Sequence, residues 1–385
     1  MLKLIYSAFL AVIITFSTTA VIAAPYAVPS APKIAAKGYL LIDFNSGKVI
    51  AEQNSDQRME PASLTKMMSA YIVSQEIHDG NLTLDTLVTV SEKAWRMPGS
   101  RMFIEVGKKI SVEELLNGVI IQSGNDSTVA LAEHIAGNEE TFASLMNQYA
   151  AKLGMNNTNF VNSTGLPHED HYTTPKDMAT MAIALIRDFP EEYKIYSVKQ
   201  FKFNDISQYN RNKLLWRDNS VDGVKTGHTE SAGYCLVASA KKETMRLVSV
   251  VLGTRSERAR EQESQKLLNY GFRFFETQKL YSSNESLATA RLWKGISDEI
   301  ALGINNDLFI TVPRGQYKNL KPLINYPANI EAPIAAGTKY GTLQVKLQDK
   351  LITEQSLVAL ADVERGSWWK RLMDSIKLFF SNLFS

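Results

Sequence analysis

Ser63 and Lys66, in the run MEPASLTKMMSAYIV, set a hydroxyl and an amine one helical turn apart. Positions i and i+3 share a helix face, so the amine can reach the hydroxyl. Serine becomes a nucleophile when a base removes its proton, and lysine is such a base only where burial or a nearby cation lowers its pKa. Pro61 implies that Ser63 stands in a first turn, where free N–H groups and the helix dipole favour developing negative charge. The spacing alone means little, because Ser30 with Lys33 and Ser239 with Lys242 repeat it in a linker and a hairpin.

Two further clusters give the pair a setting. IIQSGNDS places Ser123, Gly124 and Asn125 after an apolar helix, where the chain must turn and can hold a hydroxyl and an amide rigidly. VDGVKTGHT places Lys225, Thr226 and Gly227 on a strand, where a cation, a hydroxyl and a glycine that permits close approach suit a carboxylate docked along the strand edge. In this order the clusters match Ser-x-x-Lys, Ser-x-Asn and Lys-Thr-Gly of the penicillin-recognising serine enzymes. The chain resembles the low-molecular-mass penicillin-binding proteins, specifically the serine-type D-alanyl-D-alanine carboxypeptidases, from about residue 31 to its C-terminus. NRN at 210–212 and AGYCLVASA extend the match. Ser-Gly-Asn, in place of the Ser-Asp-Asn usual in class A β-lactamases, favours the carboxypeptidase branch.

The resemblance implies roles. Ser63 would attack the carbonyl between the two terminal D-alanines of a peptidoglycan stem peptide, and Lys66 would be its base. Ser123 would relay a proton to the leaving amine, and Asn125 would hold the substrate amide. Lys225 and Thr226, helped by Arg211, would bind the terminal carboxylate, with Gly227 beside them. Backbone N–H groups of Ser63 and His228 would form the oxyanion hole, and Lys225 would be the cation that depresses Lys66. β-Lactams would be covalent inhibitors, and no cofactor is implied. A β-lactamase and a non-catalytic β-lactam-binding sensor or wall-binding protein remain as alternatives. Metal chemistry is not expected: HEDH at 168–171 lacks the His-Glu-x-x-His spacing and sits in a polar, turn-like segment.

The elements that must position these groups can be read from periodicity. GYLLIDF and KVIAEQN flank the turn Asn45-Ser46-Gly47 as a hairpin. A helical stretch follows, with a capping box at Ser111 and Glu114, stops at Gly137 and Gly154, and a helix bracketed by Pro175 and Pro190. VDGVKTG, GYCLVASA and MRLVSVVLGT return to strands, and SERAREQESQKLLNYGFRFF to a helix. The predicted fold class is α+β, a β-lactamase/transpeptidase-like antiparallel sheet with helices, followed by a small all-β domain and a C-terminal amphipathic helix.

The expected organisation is a signal peptide at 1–23, a linker at 24–36, a penicillin-binding serine peptidase domain at 37–282, a small β domain at 283–365 and an amphipathic membrane-anchor helix at 366–385. Such a protein is exported and lies peripherally on the periplasmic face of the cytoplasmic membrane, touching the membrane surface through its last helix. Its 42 basic and 40 acidic residues leave a net charge of +2, so the overall balance does not point to nucleic acid. The single cysteine, Cys235, excludes an intramolecular disulfide and reads as a small buried hydrophobe.

Overall fold

The computed structural model describes residues 28–383, and the expected signal peptide lies outside them. Strands β1 (Gly38–Asp43) and β2 (Val49–Gln53) form the expected hairpin, turning through Gly47 at φ +69°. The later strand region supplies β3 (Val221–Thr229), β4 (Gly233–Lys242) and β5 (Met245–Thr254). Because β5 pairs with β1, the antiparallel sheet runs β2-β1-β5-β4-β3 and leaves β3 on an edge.

Both faces of this sheet are covered. Successive side chains of a strand point to opposite faces, so Leu40, Val237 and Val248 enter one core while Leu41, Leu236 and Leu247 enter another. Helices α1 (Lys66–His78), α2 (Val112–Asn117), α3 (Asn125–Ala136), α4 (Glu139–Lys152) and α5 (Pro175–Asp188) close the first core. Helix α6 (Glu257–Phe274) closes the second. Burial on both sides explains why β4 and β5 read as nearly continuous apolar runs. Cys235 is buried among them, opposite Gly227 in the ladder.

Local signals set the helix ends. Ser111 and Glu114 form the reciprocal capping box of α2, and Thr174 caps α5 ahead of Pro175. The run SVEELLNGVIIQ is not one α-helix, however: residues Gly118–Gln122 continue α2 as a π-helical turn that ends in Ser123 at φ +65°. The wider turn and left-handed exit turn the chain sharply, so that Ser123 leaves the helix and Asn125 opens α3. Helix α1 is buried all round from Lys66 to Ser74, which makes it the central helix of the first core.

Strand pairing continues past α6. Strand β6 (Phe275–Tyr281) is followed by β7 (Ala288–Trp293), β8 (Glu299–Gly303), β9 (Leu308–Pro313), β10 (Leu320–Asn325), β11 (Ile330–Glu331), β12 (Lys339–Leu347) and β13 (Lys350–Ala359). Six of them form the sheet β10-β12-β13-β8-β7-β11, while β6 pairs with β9. That pairing carries residues 275–281 into the β region, across the boundary expected at 282. A buried polar latch joins the region to the first hairpin. The Asp43 carboxylate accepts from Ser46 N–H at 2.8 Å and from the Thr277 hydroxyl at 2.7 Å, and Ser46 meets Thr311 at 2.5 Å.

The last helix, α7 (Trp368–Leu383), docks by its polar side. Asp374 is buried and accepts from Lys294 N–H at 2.8 Å, and Lys370 pairs with Asp298. Trp368, Trp369, Leu372, Met373, Ile376, Phe379 and Phe380 are exposed. Among the described residues no helix is long and apolar enough to cross a membrane.

Replacing a buried, multiply bonded carboxylate strands its donors, at about 2 kcal/mol. Asp43→Ala is therefore expected to lower the chemical-denaturation midpoint and speed proteolysis between α6 and β6; unchanged stability would mean that the latch holds nothing.

Candidate active site

Ser63 stands in a 3₁₀ turn, Ala62–Thr65, and Lys66 opens α1 behind it. The sequence reading placed the serine in a first α-helical turn; the tighter 3₁₀ winding suits the pair better, because it eclipses side chains at i and i+3. Lys66 Nζ lies 3.1 Å from Ser63 Oγ. The turn is strained, with Ala62 at φ +48°. Two glycines let neighbouring backbone approach it. A Cβ on Gly227 would come within 3.2 Å of Ser63 N, and one on Gly165, at φ +85°, would stand 1.8 Å from the Ala62 carbonyl oxygen.

Three acceptors surround the Lys66 amine. Besides Ser63 Oγ it donates to Asn125 Oδ1 and to the Thr164 carbonyl, each at 2.7 Å. Burial, then the Arg211 guanidinium, lowers its pKa to about 7, with Asp126 and Glu139 pulling the other way. Arg211 is therefore a cation that depresses it, beside the expected Lys225, whose own pKa the Lys66 charge lowers in turn. A neutral amine has two N–H donors and one lone pair. Asn125 Oδ1 and the Thr164 carbonyl can only accept, so they hold both donors and leave the lone pair for the Ser63 proton.

A second hydroxyl–amine pair lies across the site. Lys225 Nζ donates to Ser123 Oγ at 2.8 Å and to the Thr226 carbonyl at 3.1 Å. Burial pushes the Lys225 pKa well below its ordinary value, and Lys66, Arg211 and Arg260 push in the same direction. Arg211 Nε donates to the Gln122 carbonyl at 3.0 Å, next to Ser123, while the residue remains exposed at the site mouth. Thr226 and Gly227 follow Lys225 on edge strand β3, and the exposed His228 stacks its ring on Tyr234 at 4.0 Å. Asn125 is more committed than expected, since its amide nitrogen also donates to the Pro98 carbonyl at 2.6 Å.

Supporting residues carried little sequence signal. Asp126 receives the N–H groups of Met102 and Phe103 at 2.9 and 2.8 Å, pinning the loop before α2 to α3. Its only signal was an acid in the first turn of a helix. Glu139 accepts from Ser163 Oγ at 2.7 Å, and Ser69 donates to the Ser163 carbonyl at 2.7 Å, which fixes the loop that offers Thr164. A carbonyl ligand of this kind leaves no trace in residue type. In HEDH, His171 is buried, accepts from Val161 N–H at Nδ1 and bonds Thr65 Oγ1 through Nε2; burial lowers its pKa to about 4, so it is a neutral brace under the 3₁₀ turn.

A serine hydroxyl facing the lone pair of a partly neutral lysine, beside an open strand edge, is the equipment of a serine acyl-transfer enzyme. Comparison with known proteins makes the class specific. Residues 26–256 match the D-alanyl-D-alanine carboxypeptidase family and residues 275–365 the penicillin-binding protein 5 C-terminal domain, so the chain belongs to the D-alanyl-D-alanine carboxypeptidase family. It is 44% identical over 366 residues to the D-alanyl-D-alanine carboxypeptidase DacA of Escherichia coli strain K12, covering 93% of this chain and 91% of that one. The corresponding DacA of Haemophilus influenzae is 43% identical over 360 residues, 92% of each chain. The crystal structure of penicillin binding protein 5 from Haemophilus influenzae superposes with a TM-score of 0.85 at 43% identity, covering 88% of this chain and all of that one.

A base that works only when neutral gives a rate that rises with pH. Acylation by a labelled penicillin is expected to climb through about pH 7, the value to which Lys66 is lowered. Arg211→Gln removes a cation that lowers Lys66, so it should shift the midpoint upward; a pH-independent rate, or an unmoved midpoint in the variant, would contradict the assignment.

Proposed function

We propose that this enzyme is a serine-type D-alanyl-D-alanine carboxypeptidase that removes the terminal D-alanine from peptidoglycan stem pentapeptides. The observation that carries the reading is the hydrogen-bond set of Lys66, which aims its lone pair at Ser63 Oγ. The substrate carboxylate lies against Lys225, Thr226 and Arg211, where an anion offsets the crowding of positive groups around Lys225. Ser63 gives its proton to Lys66 as its oxygen bonds to the carbonyl carbon. Backbone N–H groups of Ser63 and His228 receive the oxyanion, and Gly227 lets the two segments come this close. The amide C–N bond then breaks, its nitrogen taking through Ser123 a proton that the one gained by Lys66 replaces, so that Lys66 is neutral again as D-alanine departs. Water cleaves the Ser63 ester, releasing the shortened peptide and restoring the hydroxyl. A β-lactam enters the same path because its strained amide takes the place of the scissile bond.

The lactamase alternative needs a carboxylate that activates the deacylating water. Asp126 and Glu139, the acids whose charge acts on Lys66, are held by backbone amides, Ser163 and Lys93, which favours slow release of the penicilloyl group.

We assign the peptidase domain to about residues 37–274 and the β domain to about 275–365, following the β6–β9 pairing. We place the mature protein on the periplasmic face of the cytoplasmic membrane, with α7 lying in the lipid interface. A helix that turns polar residues to its own protein and seven large apolar ones outward suits a lipid surface better than water.

Two experiments test these assignments. Wild type is expected to release D-alanine from a peptide ending in D-Ala-D-Ala, and Ser63→Ala to abolish both release and penicillin acylation; rapid penicillin hydrolysis without peptide cleavage would instead mark a β-lactamase. Truncation before Trp368 should move the protein from membrane pellet to supernatant with the rate per molecule on soluble peptide unchanged, and continued pelleting would refute the anchor.

A further inference from the structure

Glu139 is the first residue of α4, where an acid has an ordinary explanation: the helix dipole favours negative charge in a first turn. Its neighbour Glu140 fits that description, exposed and 3.7 Å from Lys93. Glu139 is tied in more closely. Its side chain is only 12% exposed, and both carboxylate oxygens are committed. Oε1 accepts from Ser163 N–H at 3.1 Å and from Ser163 Oγ at 2.7 Å, while Oε2 meets Lys93 Nζ at 3.1 Å.

Ser163 in turn commits every polar group it has. Its N–H and hydroxyl go to Glu139, and its carbonyl accepts from Ser69 Oγ at 2.7 Å. The residue is fully buried, so these bonds have no solvent to replace them. The next carbonyl along the chain, that of Thr164, accepts from Lys66 at 2.7 Å. Ser69 stands one turn after Lys66 on α1, so two consecutive loop carbonyls meet one face of that helix while α4 holds the loop through Glu139. A Ser163 released from Glu139 could turn about its backbone, and the Thr164 carbonyl would swing with it.

Charge acts beside the bonds. Lys66 is faced by the cations Arg211 and Lys225 and by the acids Asp126 and Glu139, with the neutral His171 behind Thr65. Asp126 gives its carboxylate to the N–H groups of Met102 and Phe103. Glu139 shares its own with Lys93, whose side chain is 44% exposed. A single carboxylate thereby joins the surroundings of the buried base to an ion pair that reaches the surface.

Resting on the assignment of Lys66 as the base for Ser63, we propose that Glu139 is a positioning residue of the acylation step. Through Ser163 it aims the Thr164 carbonyl at the Lys66 amine, and it lends the site a negative charge that Lys93 partly balances. Glu139 touches neither the nucleophile nor the substrate, and acts through the orientation and basicity of the lysine.

The test follows acylation of the full chain by a labelled penicillin across pH. An anion favours the charged amine, so its loss makes Lys66 neutral at lower pH. Glu139→Gln keeps an acceptor for Ser163 and loses the charge; the midpoint at about pH 7 should fall by about half a unit, with the high-pH plateau within about three-fold of wild type. Lys93→Gln removes the balancing cation and should move the midpoint upward. Glu139→Ala loses bonds and charge together, so its midpoint should fall and its plateau drop about ten-fold, because a misplaced base loses rate steeply. An unmoved midpoint in Glu139→Gln, shifts of the same sign in the Gln variants of Glu139 and Lys93, or an undiminished plateau in Glu139→Ala would overturn the proposal and leave Glu139 as a helix-end acid. A wild-type rate independent of pH would instead overturn Lys66 as the base.

Discussion

The Lys66 amine must satisfy its hydrogen bonds in a buried site, and three separate segments are arranged around that requirement. Asn125 comes from the start of α3, Thr164 from a loop, and Ser63 from the 3₁₀ turn. An uncompensated buried ammonium is costly, so the group is held close to neutrality and every remaining donor is matched. The same matching gives the amine its orientation. Two fixed acceptors leave one direction for the lone pair, and the nucleophile lies along it. Much of the surrounding structure keeps those acceptors still: Glu139 and Ser69 hold the Thr164 loop, Asp126 ties the loop before α2 to α3, and His171 supports the turn from below.

The second lysine extends the argument to binding. Lys225 and Lys66 share one desolvated site with Arg211 nearby, and each added cation raises the cost of the others. Such a site is poised for an anion. A carboxylate arriving there would offset that crowding, because an anion favours the charged form of a nearby amine.

Farther out, the β region and α7 obey a different constraint. The Asp43 latch fixes the β region to the first hairpin through buried hydroxyls. Helix α7 spends its polar groups on Lys294 and Asp298 and leaves its aromatic side uncovered. Those seven large apolar side chains leave an exposed patch of the kind that marks an interaction surface.

By itself the sequence determined the elements and the reacting groups, because both are written in residue type and spacing. The strand runs, the capping box at Ser111, the proline-bracketed helix and the three clusters at Ser63, Ser123 and Lys225 were all legible. The wide turn at Gly118–Gln122 was not, since its residues suit an ordinary helix and only the need to bring Ser123 and Asn125 to the site selects it. Nor could the sequence pair β6 with β9, because both register and partner depend on contacts made after the chain folds back. The Thr164 carbonyl, the Gly165 approach to Ala62 and the action of Arg211 on Lys66 depend on distance across the fold. Every residue carries a carbonyl, and charges interact through space rather than along the chain, so only the tertiary structure could decide which ones meet the lysine.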